Sequence, residues 1–248
     1  MALRRFRADL HIHSCLSPCG ELESYPRRIV ERALEAGLDI IAVTDHNSAE
    51  NAAATVQAAH GTRLTVLPGM EIASAEEVHI LGLFETMDDV GAVQDEVARG
   101  LPETPEGAAF VEDQVVVDAE DGVTGFSRRF LMAATRLDIR EVVELIRGRG
   151  GLAIAAHVDR PSFSVISQLG FVPFGLALDA LEISPLTTLA EARAGCASGS
   201  RLPLVRFSDA HRPGEIGGAW TEFLLAAPSL AELHKALREA DGRGICGP

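Results

Sequence analysis

The chain has 248 residues, with 22 basic and 36 acidic side chains, a net charge of −14, and hydrophobic residues at 47%. That apolar share is enough for a sizeable core without disulfides or a structural metal, and it excludes disordered and fibrous classes. No apolar run reaches the roughly 18–20 residues of a membrane span, and so acidic a body repels long polyanions, so neither a membrane nor long nucleic acid is expected as a partner.

The predicted elements alternate along the chain. Arg7–His13 reads as a strand, followed by a helix over Tyr25–Ala36 with apolar positions at Ile29, Val30, Ala33 and Leu34 and a stop at Gly37. Leu38–Thr44 is the second strand, and the Ala-rich Ser48–Ala59 the second helix, ending before Gly61. Leu64–Pro68 and Val78–Phe84 are the next strands, rich in Val, Ile, Leu and Phe. Asp138–Arg149 is helical, with Ile139, Val142, Val143 and Ile146 on one face. Leu152–Ala156, Ala180–Ser184, Leu202–Ser208 and Glu222–Leu225 complete the strands, and Ser229–Glu239 is a terminal helix behind a Ser cap. Repeated alternation of this kind predicts an α/β fold with a largely parallel sheet, either a closed or distorted barrel or an open doubly wound sheet.

Residues 1–248 read as a single domain with one interruption. From Glu85 to Arg136 the chain passes Pro102, Pro105 and Gly107, and then Asp121-Gly122 between two apolar runs suggests a hairpin. This segment is either a solvated excursion or a lid that walls the site. The N-terminal stretch is charged without an apolar run behind it, so no signal peptide is expected. Cys15, Cys19, Cys196 and Cys246 have no CxxC spacing and read as free thiols in a reducing cytoplasm. Lys235 is the sole lysine, no GxxxxGK[ST] loop is present, and no GxGxxG follows a strand. Schiff-base chemistry therefore has almost no candidate residue, and the common nucleotide-binding loops are absent.

His60 and His234 sit in helical patterns and read as surface groups. The other histidines lie at strand ends, in Asp9-Leu10-His11-Ile12-His13, Thr44-Asp45-His46-Asn47, Val78-His79-Ile80, Ala156-His157-Val158 and Ser208-Asp209-Ala210-His211, with Glu71 in Gly69-Met70-Glu71-Ile72. Strand alternation points His11 and His13 one way, with Leu10 and Ile12 facing covering helices on the other side. Burying so many imidazoles and carboxylates without cations would strand unpaired groups, and the combination suits Zn, Mn or Fe.

DLHIHS, TDHN, GMEI, HILG, AAHVDRP and FSDAH, in this order, resemble the ligand motifs of the PHP superfamily, the polymerase and histidinol phosphatase family. The resemblance spans residues 9–211. It implies a distorted (βα)7 barrel with two to three divalent metal ions at the C-terminal strand ends. It also implies that His11 and His13 bind one metal with Glu71 and Asp209, that Glu71 bridges to a second metal held by His79 and His157, and that His46 and His211 belong to a third. Asp45 is a ligand or an orienting group. Pro18 stands where some members have an Asp, and Cys19 where others have a His. Cys19 is thus either a thiolate ligand or a bystander.

The activity implied is hydrolysis of a small phosphomonoester, a nucleotide or phosphorylated metabolite, by attack of metal-bound hydroxide. Arg160 and Arg212, beside ligand motifs, are candidate phosphate clamps, and His211 or Asp45 is the candidate proton donor to the leaving oxygen. The alternatives are a nuclease or 3′-exonuclease on the same scaffold and a non-catalytic regulatory module that kept the metal site.

Overall fold

A computed structural model describes residues 2–103 and 114–247. The strands are β1 (Arg4–Ile12), β2 (Ile40–Val43), β3 (Thr65–Ala73), β4 (His79–Leu83), β5 (Val115–Val117), β6 (Val123–Phe126), β7 (Leu152–Ala155), β8 (Ala180–Ile183), β9 (Leu204–Arg206), β10 (Thr221–Leu225) and β11 (Gly244–Gly247). The α-helices are α1 (Pro26–Glu35), α2 (Ala52–Ala58), α3 (Met87–Gly100), α4 (Ile139–Gly148), α5 (Val165–Leu169), α6 (Leu189–Ala194) and α7 (Leu230–Leu237). The predicted strands and helices all appear, most within a few residues of the expected bounds.

A 9-stranded sheet runs β11-β10-β1-β2-β3-β4-β7-β8-β9, and β5 and β6 form a separate hairpin. The sheet curls until the chain beyond β9 meets β1, through a parallel bridge between Ile12 and Ala210. The fold is therefore a mixed α/β half-barrel of the expected type, but it is not a simple run of βα units. β4 pairs antiparallel with both β3 and β7, and β10 pairs antiparallel with β1. The cause at β4 is length. Residues 74–78 make a tight reversal, with Ser74 and Val78 hydrogen-bonded (N···O 2.9 Å), whereas a parallel crossover needs roughly a dozen residues or more.

Side-chain alternation sorts the core into layers. Phe6, Ala8, Leu10, Leu67, Leu81, Leu83, Leu152, Ile154, Ala180, Val205 and Phe223 come from strands all round the sheet yet pack together, so they fill its concave side. α7 adds Leu230 and Leu233 to the same cluster. The convex side packs Met70, Ile72, Ile80, Ala153, Ala155 and Leu181 against α3 and α4, while α1 covers Ile41 and Val43. Both layers are nearly dry, and burying a large aliphatic side chain is worth about 1.5–3 kcal/mol.

The stretch expected as one excursion, 85–136, is divided. Its first part is α3, capped by the Thr86 side chain on the Asp89 N–H and burying Val90, Val93 and Val97. It is a regular core helix, whose apolar spacing was masked in sequence by the acidic residues of its first turn. Pro105 and Gly107 lie outside the described residues. The β5–β6 hairpin forms at the Asp121-Gly122 signal. Its Val115 accepts from the Asn51 side chain at 3.0 Å, and Asn47 holds the carbonyls of Leu131 and Ala133 at 2.8 and 3.0 Å. The Val115 N–H also donates to the Cys15 carbonyl at 3.2 Å, so the second half of the segment is stitched to the loops that follow β1 and β2.

Candidate metal centre

The alternation that fills the concave side continues upward into a polar layer. Leu67 is followed by Glu71 on the same face of β3, Ala180 by Glu182 on β8, and Val205 by Asp209 beyond β9. His79 opens β4 opposite Ala73, so the reversed strand delivers its first residue to the level where its neighbours deliver their last. β1 needs a different device. Its register against β2 shifts between Asp9 and Ile12; Leu10 packs in the concave cluster, and Ile12 packs under α1. The expectation that Leu10 and Ile12 face together is therefore corrected. A bulge lets Leu10 and His11 both point inward.

Backbone strain marks the same place. His157, Phe163, Asp209 and Asn47 have φ of 29°, 57°, 49° and 51°, values that side chains with a Cβ adopt at a cost of about 1–3 kcal/mol. At His157 the turn redirects a side chain that simple alternation would send to the convex face.

Glu71 is the hub. Its Oε1 lies 2.9 Å from His79 Nδ1, 3.1 Å from His157 Nε2 and 3.4 Å from His11 Nε2. Its Oε2 lies 3.0 Å from His46 Nδ1 and 3.3 Å from His13 Nε2. Asp209 Oδ1 adds contacts to His13 Nε2 at 3.1 Å and His11 Nε2 at 3.2 Å. His11, His13, Glu71 and Asp209 are all buried.

The hydrogen bonds behind the imidazoles fix which nitrogen faces inward. His11 Nδ1 donates to both oxygens of Glu182 at 3.0 Å. Ser17 donates to Asp45 at 2.7 Å, so its lone pairs accept from His13 Nδ1 at 2.9 Å and from the His46 N–H at 3.2 Å. The two Nε2 atoms thereby face each other at 3.3 Å. Neither can satisfy the other unless a proton or a metal cation sits between them.

The electrostatics of the cluster make the same demand for positive charge. Burial pulls His11 down, but Asp209, Glu182 and Glu71 outweigh it and hold the imidazole well above its ordinary value. Burial also opposes His13 and His46, yet Asp209 and Glu71 raise His13 to about 9, and Glu71 with Cys19 raises His46 to about 9. Burial would push Glu71 and Asp209 up, and the surrounding imidazoles hold both well below the usual carboxylate range. Burial lowers His79 and His211. Protons on His11, His13 and His46 stand where divalent cations would bind, and the donor set fits such cations. Ligand-type atoms converge in three groups: His11 with His13 and Glu71; His46 with Glu71 and His79; and His13 with Cys19, His46 and His211.

Most residues named from sequence gather here, but not all in the manner expected. Asp45 lies one layer back, accepting from Ser14 N at 2.7 Å, Ser14 Oγ at 2.6 Å and Ser17 Oγ. That arrangement orients His13 through Ser17 and commits both oxygens of Asp45 to the Ser14–Ser17 loop. His211 donates from Nδ1 to the Asp209 carbonyl at 2.8 Å, which leaves Nε2 free. Arg160 pairs with Asp209 Oδ2 at 2.5 Å, and the more exposed Arg212 pairs with Glu21 at 3.1 Å. Both line an open cleft of about 750 Å³ together with Cys19, Asp209 and His211. A smaller recess of about 180 Å³ beside it is lined by Glu71, His79, Met132 and Phe163. Glu182 and Ser17 were missed in sequence; the signal for Glu182 was a carboxylate set between the apolar residues of a buried strand.

Fold and site together define a metal-dependent hydrolase. The chain belongs to the PHP domain family, whose profile matches residues 9–169, and a PHP-associated profile matches residues 196–241. An uncharacterized protein of Methanocaldococcus jannaschii is 27% identical over 185 residues, 71% of this chain and 80% of that protein. The lesion-specific endonuclease Q of Pyrococcus furiosus superposes with a TM-score of 0.75 at 20% identity, over 98% of this chain and 58% of that one. Endonuclease Q in complex with a 27-mer duplex, an abasic lesion at the active site, gives 0.73 at 19% identity with the same coverage. This chain thus spans well under two thirds of the nuclease. A candidate metal-dependent phosphoesterase of Bifidobacterium adolescentis gives 0.53 at 20% identity, over 84% of this chain and 88% of that one.

These likenesses correct the expected partner. A small phosphorylated substrate with long nucleic acid excluded does not stand, because the same fold carries duplex DNA at its active site in endonuclease Q. Net charge is an average over the whole surface, and substrate choice is set by the field at the cleft. Among the described residues, no helix is long and apolar enough to cross a membrane.

Proposed function

We propose that this chain hydrolyses a phosphoester of nucleic acid, using divalent metal ions held by His11, His13, Glu71, His79, His157 and Asp209. The observation that carries hydrolysis is the pair of Nε2 atoms of His11 and His13, facing each other across the carboxylates of Glu71 and Asp209 with their tautomers set from behind. Nucleic acid as the substrate class is supported by the likeness to endonuclease Q. What divalent ions supply at such a cluster is Lewis-acid activation of water and neutralisation of phosphate oxygens.

The chain's own groups position the substrate. Arg160 is half-buried against Asp209. Once that carboxylate is engaged elsewhere, the guanidinium is free to take two phosphate oxygens. Arg212 stands further out at the rim. Phe163 stacks on His79, with centroids 4.9 Å apart and 17° between planes, yet is 43% exposed, so its other face can take a base. Leu186, 93% exposed, lines the open cleft beside the recess that Phe163 lines. Stacking on an aromatic face binds nucleic acid without a basic groove, at about 1–3 kcal/mol per base.

The test is protein loaded with Mn or Zn, assayed on p-nitrophenyl phosphate, bis-p-nitrophenyl phosphate, single strands, and duplexes with and without an abasic site. Metal-dependent strand cleavage that disappears in Glu71→Gln supports the proposal. Hydrolysis of the monoester with no cleavage of any strand overturns the substrate class. No hydrolysis of any phosphoester overturns the whole reading.

A further inference from the structure

We infer that Cys19 is a thiolate ligand to a metal ion held with His46 and His211, so that one position in the cluster is a sulfur-containing, zinc-selective site. The inference rests on the metal-dependent reading above and concerns the loop in which this chain has Pro18 and Cys19.

Cys19 Sγ and one nitrogen each of His13, His46 and His211 all lie within 4.8 Å of one another. That spread suits four atoms around a tetrahedral ion with bonds of about 2.0–2.3 Å. Two of the nitrogens have their opposite sides committed. His13 Nδ1 is held by Ser17, and His211 Nδ1 by the Asp209 carbonyl, so each presents Nε2. Since His13 also faces His11 and Glu71, the protein ligands particular to this site are Cys19, His46 and His211, with His13 bordering the neighbouring site. Cys19 lines both the open cleft and the recess beside it, so a fourth position faces substrate.

The loop that carries the thiol is not loose. Ser17 N bonds Ser14 O at 3.2 Å and Gly20 N bonds Ser17 O at 2.8 Å, making two successive turns around Pro18. A Cβ at Gly20 would fall 2.5 Å from Ser14 O, so this turn requires glycine. The loop is also tied to each partner histidine, to the ring of His13 and to the backbone of His46 and His211. Ser17 Oγ accepts from His13 Nδ1 and from the His46 N–H, and the Glu21 N–H donates to the His211 carbonyl at 2.9 Å. Cys19 lies between these two anchors. Soft sulfur with imidazole selects Zn, and Co as its spectroscopic substitute, over Mn or Mg, whereas the sites around Glu71 and Asp209 are richer in oxygen. The cluster would therefore hold chemically unlike positions.

The experiment uses the full chain with Cys196→Ser and Cys246→Ser as background, which leaves Cys19 as the accessible thiol; Cys15 is buried, with Sγ 3.8 Å from the Val115 carbonyl. Cobalt-loaded protein should show a thiolate-to-metal charge-transfer band that Cys19→Ser abolishes, and zinc content should fall by about one equivalent. Zinc should slow alkylation of Cys19 by iodoacetamide about tenfold, since a coordinated thiolate is a poor nucleophile. Cys19→Asp should restore the metal equivalent without the band, separating ligation from simple damage to the loop. Fully cobalt-loaded protein without the band, or equal zinc content in Cys19→Ser, overturns the inference while the metal-dependent reading stands. Protein that takes up no metal under any condition overturns both.

Discussion

Glu182 is the group whose removal tests the arrangement most sharply, because it touches no expected metal position and acts through two that do. Its carboxylate accepts from His11 Nδ1 with both oxygens at 3.0 Å, and from the His157 N–H at 3.1 Å. Glu182→Gln keeps the shape, removes the charge, and turns one acceptor into a donor facing an N–H. A hydrogen bond to a charged group contributes about 1.5–3 kcal/mol against about 0.5–1.5 for a neutral one. Each bond is weakened by about 1–1.5 kcal/mol, so the two together amount to about 2–3 kcal/mol, or about a 30- to 150-fold loss of metal affinity. The measurement is competition with a fluorescent chelator for Zn or Mn, with the thermal midpoint of the metal-free protein as a control for folding. Affinity within twofold of wild type, on an intact fold, would show that Glu182 does not set the His11 tautomer.

Three further outcomes follow from the same geometry. In metal-free protein, His13 and His46 are raised to about 9 from an unfolded value of about 6.5, so the stability they contribute is complete below pH 6.5 and is lost as pH rises through 9. Its Tm should fall over that window, whereas metal affinity should rise across it as protons leave the ligands; a flat Tm from pH 6 to 9.5 would contradict the assignment. Arg160→Ala should raise KM about tenfold for phosphodiester substrates. The same change should move Tm by no more than about 2–4 °C, because a half-exposed ion pair is worth at most about 1 kcal/mol; unchanged kinetics would return Arg160 to a surface role. Phe163→Ala should weaken binding of single strands by about 1–3 kcal/mol while leaving bis-p-nitrophenyl phosphate hydrolysis near wild type, and equal losses on both substrates would mean that the ring supports His79 and not a base.

Local pattern carried most of the elements and much of the candidate site into view. Strand alternation predicted that His11 and His13 share a direction, and Asp-Gly predicted the hairpin. What failed depended on contacts distant in sequence or on single backbone angles. β4 was legible as a strand but not as a reversed one, because direction depends on the brevity of residues 74–78 and on pairing with β7. α3 was hidden because the acidic residues of its first turn masked the spacing of Val90, Val93 and Val97. The facing of Leu10 depended on a register shift, which leaves no trace in composition. Glu182 acts on His11 from 171 positions away, and Ser17, though only four residues from His13, is held by Asp45 from 28 positions away, so neither role can be read from local pattern. Charge misled about partners, since a total of −14 says little about one cleft.

The reversal at β4 has a consequence for how the molecule could be cut, extended or rebuilt. Glu71 and His79 are carried by the two arms of one hairpin, whereas the other ligand-type residues arrive on segments that no hairpin joins: His11 with His13, then His46, then His157, then Asp209 with His211. The arms meet in a fixed ladder, Ala73 opposite His79 and Glu71 opposite Leu81, so a residue added between 74 and 78 would turn His79 to the convex face or slide it past its partner. The segments bearing Arg160, Leu186 and Arg212 have no such ladder across the cleft. Diversification by insertion, whether by natural drift or in the laboratory, is therefore channelled to the rim, and the hairpin is the fixed datum from which the rest of the centre is measured.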